Sequence, residues 1–323
     1  MKNWMKVACL AMGAGLAFGS LAQGTGPARA GTVVEIRPDR IYLLNIARAG
    51  DRLVAVGERG FALLSDDGGK TWRAVVTPVA RTLTGVAFEN AKLGVAVGHG
   101  GSLVRTEDGG DTWTAIDVEN DAGSDSLLGV ASFGGGRFAA YGAFGMYLDS
   151  SDGGATWQRR QVISEEFENH ISQVLPFNGA LWMVAEYGTL ARSDDGGATW
   201  IELESPYQGS FFGAVDAGDG VLVVFGMRGT VFRSADGGLT WQKIETGTTT
   251  AFNGGTRLSD GRILLVGNSG LIAESTDDGA TFALKWSSAG RGFSALAEVD
   301  GGALVVVGES GAGPLDLSAM TTR

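Results

Sequence analysis

An eight-residue pattern, Ser/Thr-x-Asp-x-Gly-x-Thr-Trp, recurs along this 323-residue chain. Copies lie at residues 65–72, 106–113, 150–157, 193–200 and 234–241, and a sixth at 275–282 ends in Phe282. Measured between the closing aromatics, the intervals are 41, 44, 43, 41 and 41 residues. A period of that length is one four-stranded blade of a β-propeller, a unit that buries its faces only against neighbouring copies. The repeat therefore predicts an all-β chain of antiparallel blades.

The rest of each period agrees. A β-rich run, a Gly-x-x-Gly turn and a second short run precede every copy, as in "LVAVGERGFALL" and "VLVVFGMRGTVF". The second turn glycine always falls five residues before the Ser/Thr: Gly60, Gly101, Gly145, Gly188, Gly229 and Gly270. The first falls eight before it, except where Ala185 stands. Such spacing predicts hairpins of fixed geometry with positive φ at the glycines. Each period reads as strands A to D, with strand D beginning at the closing Trp.

A seventh period, "FSALAEVDGGALVVVGESGAG", keeps the turn as Gly308 and Gly311 but loses the box, whose positions would be Asp316, Ser318 and Met320. A ring cannot leave its last sheet with an open edge. The segment Thr32–Ile36 (TVVEI) has strand character and is expected to supply the outer strand of blade seven. The fold expected is a seven-bladed propeller over residues 31–323.

Residues 1–30 are read separately. Lys2 and Lys6 precede an apolar run from Val7 to about Ala22, and small residues offer cleavage after Ala22 or Ala30. This is the pattern of a secretory signal peptide. The single cysteine, Cys9, lies within it, so the mature chain is expected to form no disulfide. Export without disulfides points to a bacterial periplasm. Losing Lys2, Lys6 and Arg29 takes the net charge from −11 to −14. A chain so acidic is poorly suited to binding nucleic acid through its overall field.

In the repeated box, Asp67, Asp108, Asp152, Asp195, Asp236 and Asp277 are expected to bond backbone N–H groups and fix the C–D turn. Trp72, Trp113, Trp157, Trp200 and Trp241 are expected to pack between sheets. The "DDGG" sequence lacks the spacing and distal Glu of a calcium loop. Neither His99 nor His170 has ligand-like spacing, so no metal and no cofactor are expected. "GESGAG" is not a nucleophile elbow, because Ala312 breaks Gly-x-Ser-x-Gly. Glu58, Glu186 and Glu309 occupy equivalent turn sites, with nothing to mark two of them as a catalytic pair.

The boxes resemble the Asp-boxes of BNR-repeat proteins such as sialidases. Over about residues 40–311 the chain is more similar to the photosystem II stability/assembly factor-like family, in the pattern of "VGERGFALLSDDGGKTW" and "VGHGGSLVRTEDGGDTW". That resemblance implies a seven-bladed propeller exported to a lumen or periplasm, which in phototrophs assists assembly of a membrane complex by binding an immature subunit. It implies a non-enzymatic role. The Phe/Tyr-Arg-Ile-Pro element of sialidases is missing, the region reading "EIRPDRIY". Two alternatives stand beside it: a sialidase-like or other BNR-repeat glycosyl hydrolase, and a carbohydrate- or peptide-binding module of envelope transport.

Antiparallel connectivity places B–C turns and blade-to-blade linkers on one face and the Asp-boxes on the other. On the linker face Arg37, Arg40, Arg59, Arg81 and Arg291, with His99, form an expected basic arc for partner binding, and Phe144 and Tyr187 are expected anchors. An acidic arc (Asp117, Glu119, Asp121, Asp125, Glu165, Glu166, Glu168) is expected opposite, with Arg228 alone across the ring. The expected partner is a membrane protein complex or its exported loop or tail, met by a monomeric protein not itself inserted in the membrane.

Overall fold

The computed structural model describes residues 37–118 and 125–322. Seven antiparallel sheets follow one another, each a meander of strands in chain order. Blade one consists of A (Leu43–Ala49), B (Arg52–Gly57), C (Phe61–Ser65) and D (Arg73–Val76). Blades two to six repeat this scheme, their A strands being Leu83–Phe88, Leu127–Gly134, Ile171–Phe177, Phe211–Gly218 and Phe252–Arg257. Blade seven has three described strands: Phe293–Glu298, Leu304–Gly308 and Gly311–Leu315. The seven A strands touch in turn around the axis, and that of blade one meets those of both blade two and blade seven. The seven-bladed reading holds. The expected closing strand, Thr32–Ile36, lies outside the described residues.

The strand B sequences explain the stacking. Leu53, Val54, Ala55 and Val56 are all fully buried. Side chains alternate faces along a strand, so both faces of the sheet are apolar. Leu53 and Ala55 pack with Val305 and Val307 of blade seven, while Val54 and Val56 pack with Val86 and Ala96 of blade two. Seven such clusters fill the seven gaps between blades. Each large side chain buried there contributes roughly 1.5–3 kcal/mol.

The box aromatics belong to these gaps. Trp113 packs on Val54 and Leu64 of the preceding blade, and Trp72 on the blade seven side of blade one. Strand D starts one residue after the Trp rather than at it, for example at Arg73. The indole is thus the last residue of the turn and reaches sideways into the gap.

Blade seven differs by one step of register. In the other six blades the box Ser or Thr stands opposite the first part of strand B, as Leu53 opposes Ser65 and Ile263 opposes Ser275. In blade seven Leu304 opposes Leu315. Turn spacing assigns the box serine to Asp316, but the tighter hairpin pairing Gly308 with Gly311 shifts strand C. An apolar residue therefore lies where the hydroxyl would be, and no box forms. Asp316 instead accepts the Ser318 N–H at 2.9 Å and caps a single turn, Leu317–Ala319. Leu315, Leu317 and Met320 fill the gap between blades six and seven. Thr321 then pairs with Trp286 on the outer strand of blade six.

Every A strand carries a β-bulge at its start. The register skips one residue in each blade: Leu44, Thr84, Leu128, Ser172, Phe212, Asn253 and Ser294. All seven line the axial channel, a cavity of about 480 Å³.

The turn glycines divide into two kinds. The second has positive φ throughout, as expected, from 65° at Gly145 to 76° at Gly311. The first is extended, with φ −178° at Gly57 and −179° at Gly142. The reason there is close approach: a Cβ at Gly57 would stand 2.1 Å from the Tyr42 carbonyl oxygen. Ala185 has φ −148° and is accommodated.

Candidate functional site

The two ends of the ring are chemically distinct. On one, the Asp-boxes meet the A–B turns: Gly153 donates its N–H to the Gly136 carbonyl at 2.8 Å, and Gly109 to Lys92 at 2.9 Å. Within a box the side chains are spent on the turn itself. Ser65 Oγ donates to Asp67 Oδ1 at 2.8 Å and accepts the Gly69 N–H at 2.8 Å. Thr71 donates its N–H to Asp67 Oδ1 at 2.9 Å and its hydroxyl to Oδ2 at 2.6 Å. Trp72 Nε1 donates to the Gly69 carbonyl at 3.1 Å.

The same Asp–Thr bonds recur at Asp108, Asp152, Asp195, Asp236 and Asp277. The Thr71 hydroxyl, then the Thr71 N–H and the Ser65 hydroxyl, hold Asp67 at about 2. Asp236 is held at about 2 in the same way by Thr240 and Ser234, and Asp152 at about 2 by the N–H and hydroxyl of Thr156. A carboxylate with its lone pairs so occupied is a turn fastener. Among the described residues no three His, Cys, Asp or Glu side chains converge to hold a metal ion.

The opposite end carries the B–C turns and linkers. Arg59, Arg81 and His99 line one hollow of about 400 Å³ with Glu58, Ala80 and Thr82. Three of the expected basic residues therefore come together from blade one, the linker and blade two. Arg81 Nη1 donates to the Gly100 carbonyl at 3.1 Å, which lays the guanidinium across the blade two turn. Arg37 pairs with Asp39 at 3.7 Å, both well exposed. Arg40, Arg59 and Arg291 are exposed and have no carboxylate partner among the described residues. The chain at Pro38–Arg40 lies against strand C of blade seven, which puts Arg37 and Arg40 on that sector. Of the acidic arc, Asp117, Glu165, Glu166 and Glu168 are exposed and Asp125 is half-buried, while Glu119 and Asp121 lie outside the described residues.

The turn tips are conformationally unusual. Arg59 (φ 61°), Phe144 (54°), Tyr187 (54°), Arg228 (58°) and Ser269 (57°) occupy the same place in five blades, and Gly100 (62°) takes it in blade two. Left-handed backbone at a bulky L-residue is strained, and such strain gathers at functional surfaces. Phe144 and Tyr187 are 55% and 74% exposed, large apolar groups presented at turn tips. Two of the three turn glutamates serve their own blades. Glu58 accepts the Tyr42 N–H at 3.4 Å and Glu186 the His170 N–H at 3.2 Å, each steadying the start of strand A.

Sequence reasoning missed two features here. His170 is a link: its ring meets Phe144 edge-on at 5.1 Å, and Nδ1 lies 3.5 Å from Glu186. No spacing signal marks it, because the three residues come from two blades. The bulge residues were also missed, since a bulge breaks the alternation that would reveal which face they occupy.

Residues 138–295 match the family model described as "Photosynthesis system II assembly factor YCF48", and residues 63–74 match the BNR/Asp-box repeat. The resemblance drawn from the boxes is thereby borne out. The YCF48 match runs from blade three into blade seven; it takes in Phe144, Tyr187 and Arg291 and leaves out the other residues of the basic arc. No curated protein matches the chain. Among solved structures, "YCF48 bound to D1 peptide" superposes with a TM-score of 0.71 at 18% identity, covering 85% of this chain and 93% of that one. YCF48 from Cyanidioschyzon merolae gives 0.67 at 15%, covering 86% and 96%. A GH74 xyloglucanase from Xanthomonas campestris gives 0.68 at 14%, covering 85% of this chain and 52% of that one. At these identities the superpositions establish the propeller fold.

Proposed function

We propose that this chain is a periplasmic, non-enzymatic propeller that binds an exported loop or tail of a membrane protein complex and assists its assembly. The observation that carries the reading is the hollow formed by Arg59, Arg81 and His99 on the face opposite the boxes. Guanidinium groups bind carboxylates bidentately, so this sector suits an acidic peptide segment. Exposed Phe144 and Tyr187 add anchors of the kind that dominate interface energies. The likeness to assembly-factor propellers supports a binding role, and one of those solved structures is described as holding a peptide.

The test is capture of partners from detergent-solubilised membranes on the immobilised mature protein. Arg59→Glu/Arg81→Glu is expected to lose the specific partner. Intact capture by this variant would remove the site assignment. A panel of fluorogenic glycosides tests the non-enzymatic part, and robust turnover of any member would overturn it. Cell fractionation tests the location.

A further inference from the structure

The seven bulges build a second feature, nearer the axis than the arginine hollow and different in chemistry. Among the described residues the channel wall contains amides, hydroxyls and apolar groups, and no charged side chain. Leu44, Leu128 and Phe212 are half-buried there. Between them stand Thr84, Ser172 and Asn253. The Asn45 amide and the Ser172 hydroxyl line the channel and have no hydrogen-bond partner among the described residues. A bulge re-aims one side chain from each strand, and bulges gather beside binding sites. The cavity falls within the roughly 300–1,000 Å³ of ordinary ligand pockets.

The charge zoning selects the occupant. The linker face, where strand A begins, also carries exposed Glu165, Glu166, Glu168 and Glu309, but Arg59 and Arg81 are exposed together on the sector of blades one and two and Arg228 across the ring. A carboxylate would be held there and would lose solvation without a partner farther in. An uncharged apolar side chain gains from Phe212 and Leu128, and its backbone amides can bond Asn45 and Ser172. We propose that the channel mouth is a pocket for an extended peptide, which inserts an uncharged apolar residue toward the axis while flanking acidic residues stay on the arginine rim. This rests on the partner-binding reading and adds the chemistry of the bound segment.

The probe is a random dodecapeptide phage library selected on the mature protein. Enriched sequences are expected to hold an apolar uncharged core flanked by Asp or Glu. Synthetic copies are expected to bind Phe212→Asp and Asn45→Asp at least tenfold more weakly, and Leu239→Asp, on the opposite face, with unchanged affinity. A second measurement does not depend on tolerance of a buried charge. Ser172→Cys in the mature protein, which begins after Cys9, is labelled with a fluorescent maleimide, and bound peptide is expected to slow the labelling.

Equal affinity for wild type and both channel variants, or labelling unaffected by peptide, overturns the pocket. No enrichment overturns it as well. Protection of the introduced thiol by a neutral oligosaccharide such as maltohexaose, and by no peptide, assigns the channel to glycans and overturns it. If channel variants bind normally while Arg59→Glu/Arg81→Glu does not, the pocket falls and the proposed function stands. If the pocket behaves as expected but no membrane partner is captured, the reverse holds.

Discussion

The carbonyl of Pro38 lies over Gly311 as the carbonyl of Val79 lies over Gly60. A Cβ at Gly311 would stand 1.5 Å from Pro38 O, and one at Gly60 1.8 Å from Val79 O. In blade one that contact comes from the chain leaving the blade's own strand D. In blade seven it comes from the chain approaching blade one, more than 270 residues away in sequence. Residues 38–40 thus stand beside blade seven where the outgoing linker stands beside blade one.

Gly311→Ala is therefore expected to destabilise the whole ring. Gly311 has φ +76°, which costs about 1 kcal/mol for alanine, and the contact with Pro38 O forces the backbone to move. A total of about 2–4 kcal/mol is expected in urea unfolding. Gly313→Ala is the control. Nothing lies within 4 Å of its Cβ, and its unfolding midpoint is expected to stay unchanged.

The boxes are expected to make the protein acid-sensitive. Asp67, Asp152 and Asp236 are held at about 2 in the fold, against an ordinary 3.8. A carboxylate depressed by folding contributes stability above its unfolded value and loses it as pH falls through the folded one. The urea midpoint is expected to fall steeply between about pH 4 and pH 2. Replacing these three residues by Asn is expected to lower stability at pH 7 and flatten the acid limb. An unchanged acid limb would mean that the carboxylates are paired equally in the unfolded chain.

Much of this fold was legible because the box serves as a local fastener. Its residues bond one another within eight positions, so spacing in sequence maps directly onto blades. The strand B runs were legible for the same reason, both faces being apolar. The register of blade seven was not. It depends on whether the hairpin closes at Val56–Ala62, as in blade one, or at Gly308–Gly311, and both turns read Gly-Glu-x-Gly. The candidate face was partly legible. Arg59, Arg81 and His99 were found from topology, whereas Phe212 and His170 act through neighbours in other strands or blades that no local pattern records.

Among the described residues one buried hydroxyl is without a hydrogen-bond partner: Tyr147 OH is enclosed near Gly197, and burial pushes its ionisation well above the ordinary tyrosine value. An orphaned buried hydroxyl costs about 1–3 kcal/mol. Tyr147→Phe keeps the edge-to-face contact with Trp200 at 5.8 Å. It is expected to raise stability by up to about 1 kcal/mol, read as a higher melting temperature. A loss of more than that would reveal a bonded water.

The strained turn tips set stability against binding. Tyr187 has φ +54° and is 74% exposed, so the fold gains little from the side chain and bears the backbone strain. Tyr187→Gly removes the left-handed penalty and is expected to stabilise the protein by about 1 kcal/mol. The same change removes an exposed aromatic from the proposed binding face, so capture of the membrane partner is expected to weaken several-fold. Phe144→Gly is expected to behave differently, because its ring also rests on His170 at 5.1 Å. That lost contact offsets part of the backbone gain, and stability is expected to change little while binding weakens. If Tyr187→Gly raises the melting temperature and leaves capture intact, the left-handed tyrosine is a tolerated accident of the turn. If it lowers both, the ring is a structural support rather than an anchor.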